Sequence, residues 1–151
     1  MIQRIDHIGI AVVSIAAARA FYEAMGLVVE AIEEVPQEGV RVAMIACGES
    51  KIELLEATSP DSPIARFLDK RGPGLHHITL RVDDITAALA QLAARGVRLV
   101  DQAPRAGAEG ALVAFIHPSS AHGVLVELKQ EGHPRAKLEV RRIGWGDLQL
   151  T

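Results

Sequence analysis

The sequence predicts an α+β fold of two tandem βαβββ modules, and three observations carry that prediction. The first is a repeat: Ile5-Asp6-His7-Ile8-Gly9-Ile10-Ala11-Val12 matches Leu75-His76-His77-Ile78-Thr79-Leu80-Arg81-Val82 at its apolar positions, with His7 on His77, 70 residues apart. The second is that the same spacing relates the residues that open and close the following helix, Ser14 to Asp84 and Gly26 to Gly96. The third is the run of short apolar segments bounded by turn residues after each helix, the pattern of strands.

Residues 5–12 alternate as a strand does, with Ile8, Ile10 and Val12 on one face and His7, Gly9 and Ala11 on the other. Ser14 can accept free N–H groups at the start of a helix whose apolar residues are Ile15, Ala18, Phe21, Tyr22 and Met25. Gly26 can take the left-handed conformation that ends it. Strands are expected at Leu27–Ile32, Gly39–Cys47 and Lys51–Glu56, separated by turns at Pro36–Glu38 and Gly48–Ser50. Asp61 to Gly72 reads as a short bridging helix, capped by Ser62, with Pro63 in its first turn and Gly72 as its stop.

In the second copy Leu75–Val82 is the first strand, and Asp84 caps a helix with Ile85, Ala88, Leu89, Leu92 and Ala93 in one stripe. Strands follow at Val97–Asp101, Ala111–His117 and Gly123–Lys129, with turn-rich stretches at Pro104–Gly110 and Pro118–Gly123. Residues 1–130 are therefore expected as a single domain: module 1 at about 3–57, the bridge at about 61–72 and module 2 at about 74–130. Residues 131–151 form a C-terminal extension holding the sole tryptophan, Trp145, where Leu138, Val140 and Ile143 suggest an added strand.

Composition narrows the function classes. At 151 residues, 49% hydrophobic and 23% charged, with a net charge of −3, the chain can bury one sizeable core and is unlike a disordered segment. Its 16 Lys and Arg face 19 Asp and Glu, which leaves no excess to neutralise phosphates and excludes a general nucleic-acid role. No apolar run approaches the roughly 18 residues that span a bilayer. Met1 leads directly into a patterned segment with no charged and then apolar leader, so a cytoplasmic protein without a membrane partner is expected. The single Cys47 cannot form an internal disulfide and reads as a small hydrophobe at a strand end.

The alternation also selects chemistry. His77 shares a face with Thr79 and Arg81, whereas His76 falls on the side expected to pack helices, so the repeat pairs His7 with His77. In the last strand of each copy Glu53 stands between Ile52 and Leu54, and Glu127 between Val126 and Leu128. Carboxylates in mid-strand are costly to bury unless paired or bound to a cation. Two imidazoles and two carboxylates suit a borderline or hard divalent ion such as Co²⁺, Mn²⁺, Ni²⁺, Zn²⁺ or Fe²⁺, and six-coordination leaves two adjacent positions for a chelating substrate.

These segments resemble the vicinal oxygen chelate superfamily and, within it, the methylmalonyl-CoA epimerases. The resemblance rests on Asp6-His7-Ile8-Gly9-Ile10-Ala11-Val12, Ile52-Glu53-Leu54-Leu55-Glu56, Asp61-Ser62-Pro63-Ile64, Gly74-Leu75-His76-His77-Ile78, Gly107-Ala108, Phe115-Ile116-His117-Pro118 and Gly123-Val124-Leu125-Val126-Glu127-Leu128. It implies an open, cup-shaped mixed sheet around one metal held by His7, Glu53, His77 and Glu127, with Gln in some relatives where Glu53 stands. The metal it implies is Co²⁺ first, then Mn²⁺, Ni²⁺, Zn²⁺ or Mg²⁺. The activity it implies is inversion of C2 of methylmalonyl-CoA through a metal-stabilised thioester enolate, with an acyl-CoA as partner and a homodimer as the assembly. Glu127 is then expected as one acid or base and Glu53 as a candidate for the other, with His117 and Ser119 as substrate contacts.

Two positions depart from the relatives. Val42 stands where some epimerases carry a second catalytic Glu, and Ser119 stands where many have Lys. Three other functions stay open on the same residues: lactoylglutathione lyase (glyoxalase I), an extradiol-type dioxygenase, and a non-catalytic small-molecule-binding protein. The Asp-Ser-Pro-Ile helix and the His-Pro turn before Gly-Val-Leu argue for the epimerase.

Overall fold

Alternating apolar residues become strands, and capped apolar stripes become helices, close to where the sequence puts them. In the computed structural model, which describes residues 1–132, the order is β1 (Ile2–Ala11), α1 (Ile15–Ala24), β2 (Val29–Val35), β3 (Val40–Cys47), β4 (Ser50–Ala57), α2 (Pro63–Arg71), β5 (Gly74–Val82), α3 (Ile85–Ala94), β6 (Arg105–Ala106), β7 (Leu112–Ile116) and β8 (Leu125–Gln130). Short 3₁₀ turns lie at Pro36–Glu38, Ala108–Gly110 and Pro118–Ser120. Among the described residues, three helices and eight strands in open, mixed pairing make an α+β fold, as expected. The added strand suggested by Leu138, Val140 and Ile143, and Trp145 with it, lie outside the described residues. The described residues divide into two units, one of His7–His76 and one that joins Met1–Asp6 to residues 77–132.

In the unit His7–His76 the strands lie in the order β2, β3, β4, β1, with β4 parallel to the end of β1 and β3 antiparallel to both its neighbours. Ser14 Oγ accepts the Ala17 N–H, and Glu56 Oε1 accepts the Ile15 N–H at 3.0 Å, so two of the first free donors of α1 are satisfied. Ile15, Ala18 and Tyr22 pack on Val12, Ala43, Ile45 and Leu54. Each large aliphatic buried in this way contributes about 1.5–3 kcal/mol. Phe21 and Met25, read from spacing as part of that stripe, are instead exposed, because a ten-residue helix lays only one narrow face on the sheet. Ser62 Oγ caps α2 on the Ala65 N–H, and Gly72 closes it at φ 72. Cys47 ends β3 in an exposed position.

In the second unit the order is β5, β8, β7, β6, with β5 and β8 parallel and the other pairs antiparallel. Val82, Ile85, Ala88, Leu89, Ala114 and Leu128 form its core, with Leu92 at the margin. Ala93, expected in the stripe of α3, is exposed at its far end. Gln130 Oε1 accepts the Ile85 N–H at 2.9 Å, repeating what Glu56 does for Ile15.

One expected strand does not form. Val97–Asp101 makes a single bridge, Leu99 to Ile116. The Val100 and Asp101 N–H groups both donate to the Phe115 carbonyl, at 2.9 and 3.3 Å, while Asp101 Oδ2 accepts the Phe115 N–H at 2.9 Å. A side chain thus replaces the backbone partner, the chain bends, and the edge strand forms later as β6, inside a stretch expected to be turn. Asp101 is buried and also accepts from Arg105 Nε. Replacing it with alanine would strand the Phe115 N–H in the interior, so Asp101→Ala should lower stability by about 2–3 kcal/mol. Urea unfolding measures this, and an unchanged midpoint would refute it.

Candidate active site

Both units carry the same two-residue ladder. In the unit His7–His76, His7 lies opposite Lys51 and Gly9 opposite Glu53 across the parallel pair of β1 and β4. In the other unit, His77 lies opposite Leu125 and Thr79 opposite Glu127 across β5 and β8. Each Glu therefore faces the residue two positions after a His. Because side chains two apart share a sheet face, one imidazole and one carboxylate lie together on one face of each unit. The opposite faces carry Ile10 and Leu54 against α1, and Leu80, Val126 and Leu128 against α3.

His7 Nε2 stands 3.4 Å from Glu53 Oε2, and Glu53 is buried. A carboxylate in such a place needs a cation, a proton or a hydrogen-bond donor to offset its lost hydration. His77 is buried, and Glu127, half-buried, accepts a 3.1 Å hydrogen bond from the fully buried Thr79 hydroxyl through Oε1. His76 points the other way, as its parity requires, and meets the Phe67 ring of α2 edge-on at 5.0 Å. Burial, with the Arg71 guanidinium adding to it, lowers the His76 imidazole to about 4 and keeps it neutral at ordinary pH.

His117 and Ser119 meet each other. The Ser119 N–H donates to His117 Nδ1 at 3.0 Å, and Ser119 Oγ lies 2.8 Å from the same nitrogen. His117 is buried, while Ser119 is exposed.

A family model for the Glyoxalase/Bleomycin resistance protein/Dioxygenase superfamily matches residues 6–115. The ethylmalonyl-CoA/methylmalonyl-CoA epimerase of Cereibacter sphaeroides is 43% identical over 133 residues, which cover 86% of this chain and 99% of the relative. Among solved structures, the methylmalonyl-CoA epimerase of Mycobacterium tuberculosis aligns at a TM-score of 0.76 and 35% identity, over 91% of this chain and 93% of its own. A variant of the Streptomyces coelicolor methylmalonyl-CoA epimerase in complex with 2-nitronate-propionyl-CoA aligns at 0.72 and 38% identity, over 88% of this chain and 100% of that one. The chain belongs to the methylmalonyl-CoA epimerase family of this superfamily.

In this family member, Val42 is fully buried on the same face of its unit as Glu53, since Met44 lies opposite Glu53 and Val42 opposite Leu55. The wall at that point is apolar and offers no proton. Thr79 is the residue that sequence reasoning passed over; its position two after His77 places it beside Glu127, a consequence of parity that needed only the strand register. Ser119, expected as a substrate contact, turns its backbone N–H and hydroxyl toward the His117 ring.

Proposed function

We propose that the protein inverts C2 of methylmalonyl-CoA by removing the α-proton on one face and returning a proton on the other. The observation that carries this reading is the duplicated ladder, which gives each unit one His and one Glu in the same register. The donor chemistry fits a metal: His7, Glu53 and His77 are the His, Glu, His group among the described residues suited to one, and we propose Glu127 as the fourth ligand. These residues would hold a divalent ion, Co²⁺ in first place, that supplies positive charge for the oxygens of a thioester enolate. Extradiol dioxygenase chemistry uses two His and one carboxylate, so it leaves the second Glu without a role.

Inversion needs an acid and a base that exchange roles with reaction direction. We assign Glu127 to one of these. Its carboxylate accepts a hydrogen bond from the Thr79 hydroxyl through Oε1, which helps to orient the side chain. Glu53 is our candidate for the other, because it shares the face of its unit with His7 and stands opposite Gly9, which has no side chain of its own. Val42 has no ionisable group to share that task. The form we propose is a homodimer, as the family resemblance implies, working in the cytoplasm; elution as a single chain at micromolar concentration would remove the dimer.

Incubating the metal-loaded protein with methylmalonyl-CoA in D₂O tests the function. Deuterium should enter at C2 while the epimers equilibrate. Absence of exchange would overturn the reading and return the choice to a glyoxalase or a binding protein of the same fold.

A further inference from the structure

Arg81 stands two residues beyond Thr79 in β5 and opposite Lys129 of β8, just as Thr79 stands opposite Glu127. The two cations therefore lie on the face of their unit that carries His77 and Glu127. Both are engaged by carboxylates. Arg81 Nη2 donates to Asp6 Oδ1 at 2.8 Å and to Glu131 Oε1 at 2.7 Å, and Lys129 Nζ lies 3.7 Å from Asp6 Oδ2 and from Glu131 Oε1. The side chains of Asp6 and Arg81 are 11% and 23% exposed, against 44% and 39% for the surface pair Glu23 and Arg19 on α1. Water and salt accordingly screen the Asp6–Arg81 pair less.

Asp6 is the last residue of β1 that belongs to the unit of β5–β8, and the chain passes to the other unit with the next residue, His7. The Met1–Asp6 segment is held at its start by the Asp83 N–H, which donates to the Met1 carbonyl at 3.3 Å, and at its end by Arg81. Lys129 is beyond hydrogen-bond distance of Asp6 and cannot stand in for the guanidinium. Consecutive Cα atoms are about 3.8 Å apart, so an anchored Asp6 confines the His7 backbone to one link from a fixed point. Arg81 itself follows His77 by four residues on the same strand. One ion pair thus ties the residue before one imidazole to the strand that carries the other.

We infer that Arg81 is a positioning residue of the metal centre: through its ion pair with Asp6 it fixes where β1 delivers His7, and so sets the affinity of the centre for its ion without touching ion or substrate. The inference rests on the proposal that His7, Glu53 and His77 hold a metal. Groups that orient metal ligands from outside the coordination sphere typically contribute about 10–100-fold in affinity. An ion pair that only stabilised the fold would lower the unfolding midpoint and leave the affinity of the folded protein unchanged.

The test is titration of the metal-free full chain with Co²⁺, followed by the visible absorption of the bound ion, whose bands report the geometry of its ligands. Arg81→Met should raise the Kd for Co²⁺ about tenfold or more and shift those bands. Asp6→Asn, which keeps the shape of the side chain and is the gentler change, should do the same. Because each removes the same pair, the double variant should lose little beyond either single one. Asp101→Ala is the control for stability: it takes a buried partner from Phe115 in the same unit, and should lower the unfolding midpoint while binding Co²⁺ as the wild type does. Wild-type Kd and spectrum in both single variants, losses that add in full in the double variant, or an equal loss of affinity in Asp101→Ala each overturn the inference. A wild type that binds no Co²⁺ overturns the metal proposal and the inference with it, so the two failures are told apart.

Discussion

His77→Ala should lose bound metal and turnover together. His77 is 2% exposed, on the face of its unit that also carries Glu127, so no surface residue can swing in to replace its imidazole. A cation that supplies several kcal/mol of charge stabilisation accounts for a fall in kcat/KM of ~10³-fold or more when it is lost. Elemental analysis should find close to one metal per chain in the wild type and almost none in the variant, and His7→Ala should behave alike. Truncating a buried side chain also leaves a cavity, which lowers stability by itself. Chelator-treated wild type is the control: if its activity matches that of His77→Ala while its unfolding midpoint is higher, the missing activity belongs to the metal and the missing stability to the cavity. Full metal content in both alanine variants would dismiss the proposed ligand set.

Glu127→Gln separates holding a metal from moving a proton. Glutamine preserves the shape of the side chain and an oxygen that Thr79 can still donate to, so at least part of the metal should remain. It cannot take up the α-proton, and loss of a positioned acid or base costs about 10²–10⁴-fold in rate. Deuterium entry at C2 should fall by that factor, with substrate affinity nearly kept. Wild-type turnover would end the role of Glu127 as acid or base. Glu53→Gln is the informative companion, because it asks whether the carboxylate facing Gly9 transfers the second proton. A loss as large as that of Glu127→Gln would make the two a pair, whereas near-normal turnover would leave Glu53 only as a ligand.

Most of the fold was legible because its signals are local. Ser14, Ser62 and Asp84 cap the helices they were expected to cap, and Gly26, Gly72 and Gly96 adopt the positive φ values that end them. Strand parity distinguished His77 from His76, and the structure turns His76 to Phe67 as that parity requires. What escaped depends on partners distant in sequence. Asp101 carries no local mark of a strand breaker; it bends the chain because Phe115, 14 residues later, presents an N–H to it. Phe21 is spaced for burial, yet nothing in its own helix reports that the face laid on the sheet is too narrow to include it. The pairing of Ser119 with His117, only two residues away, was hidden for a different reason: a motif names residues without saying which way they turn.

The two ladders agree in register although their spacings in the chain do not. His7 and His77 are 70 residues apart, whereas Glu53 and Glu127 are 74 apart, so the second copy is four residues longer between its helix and its last strand. The Asp101 bend and the 3₁₀ turn at Ala108–Gly110 lie in that interval, ahead of β7. Length changes are thus tolerated there and forbidden within the paired strands, where a one-residue shift would rotate a carboxylate to the helix side. An insertion scan should accordingly show a permissive window between β6 and β7 and abrupt loss of activity on either side of Glu53 and Glu127, a map of where this enzyme family is free to lengthen.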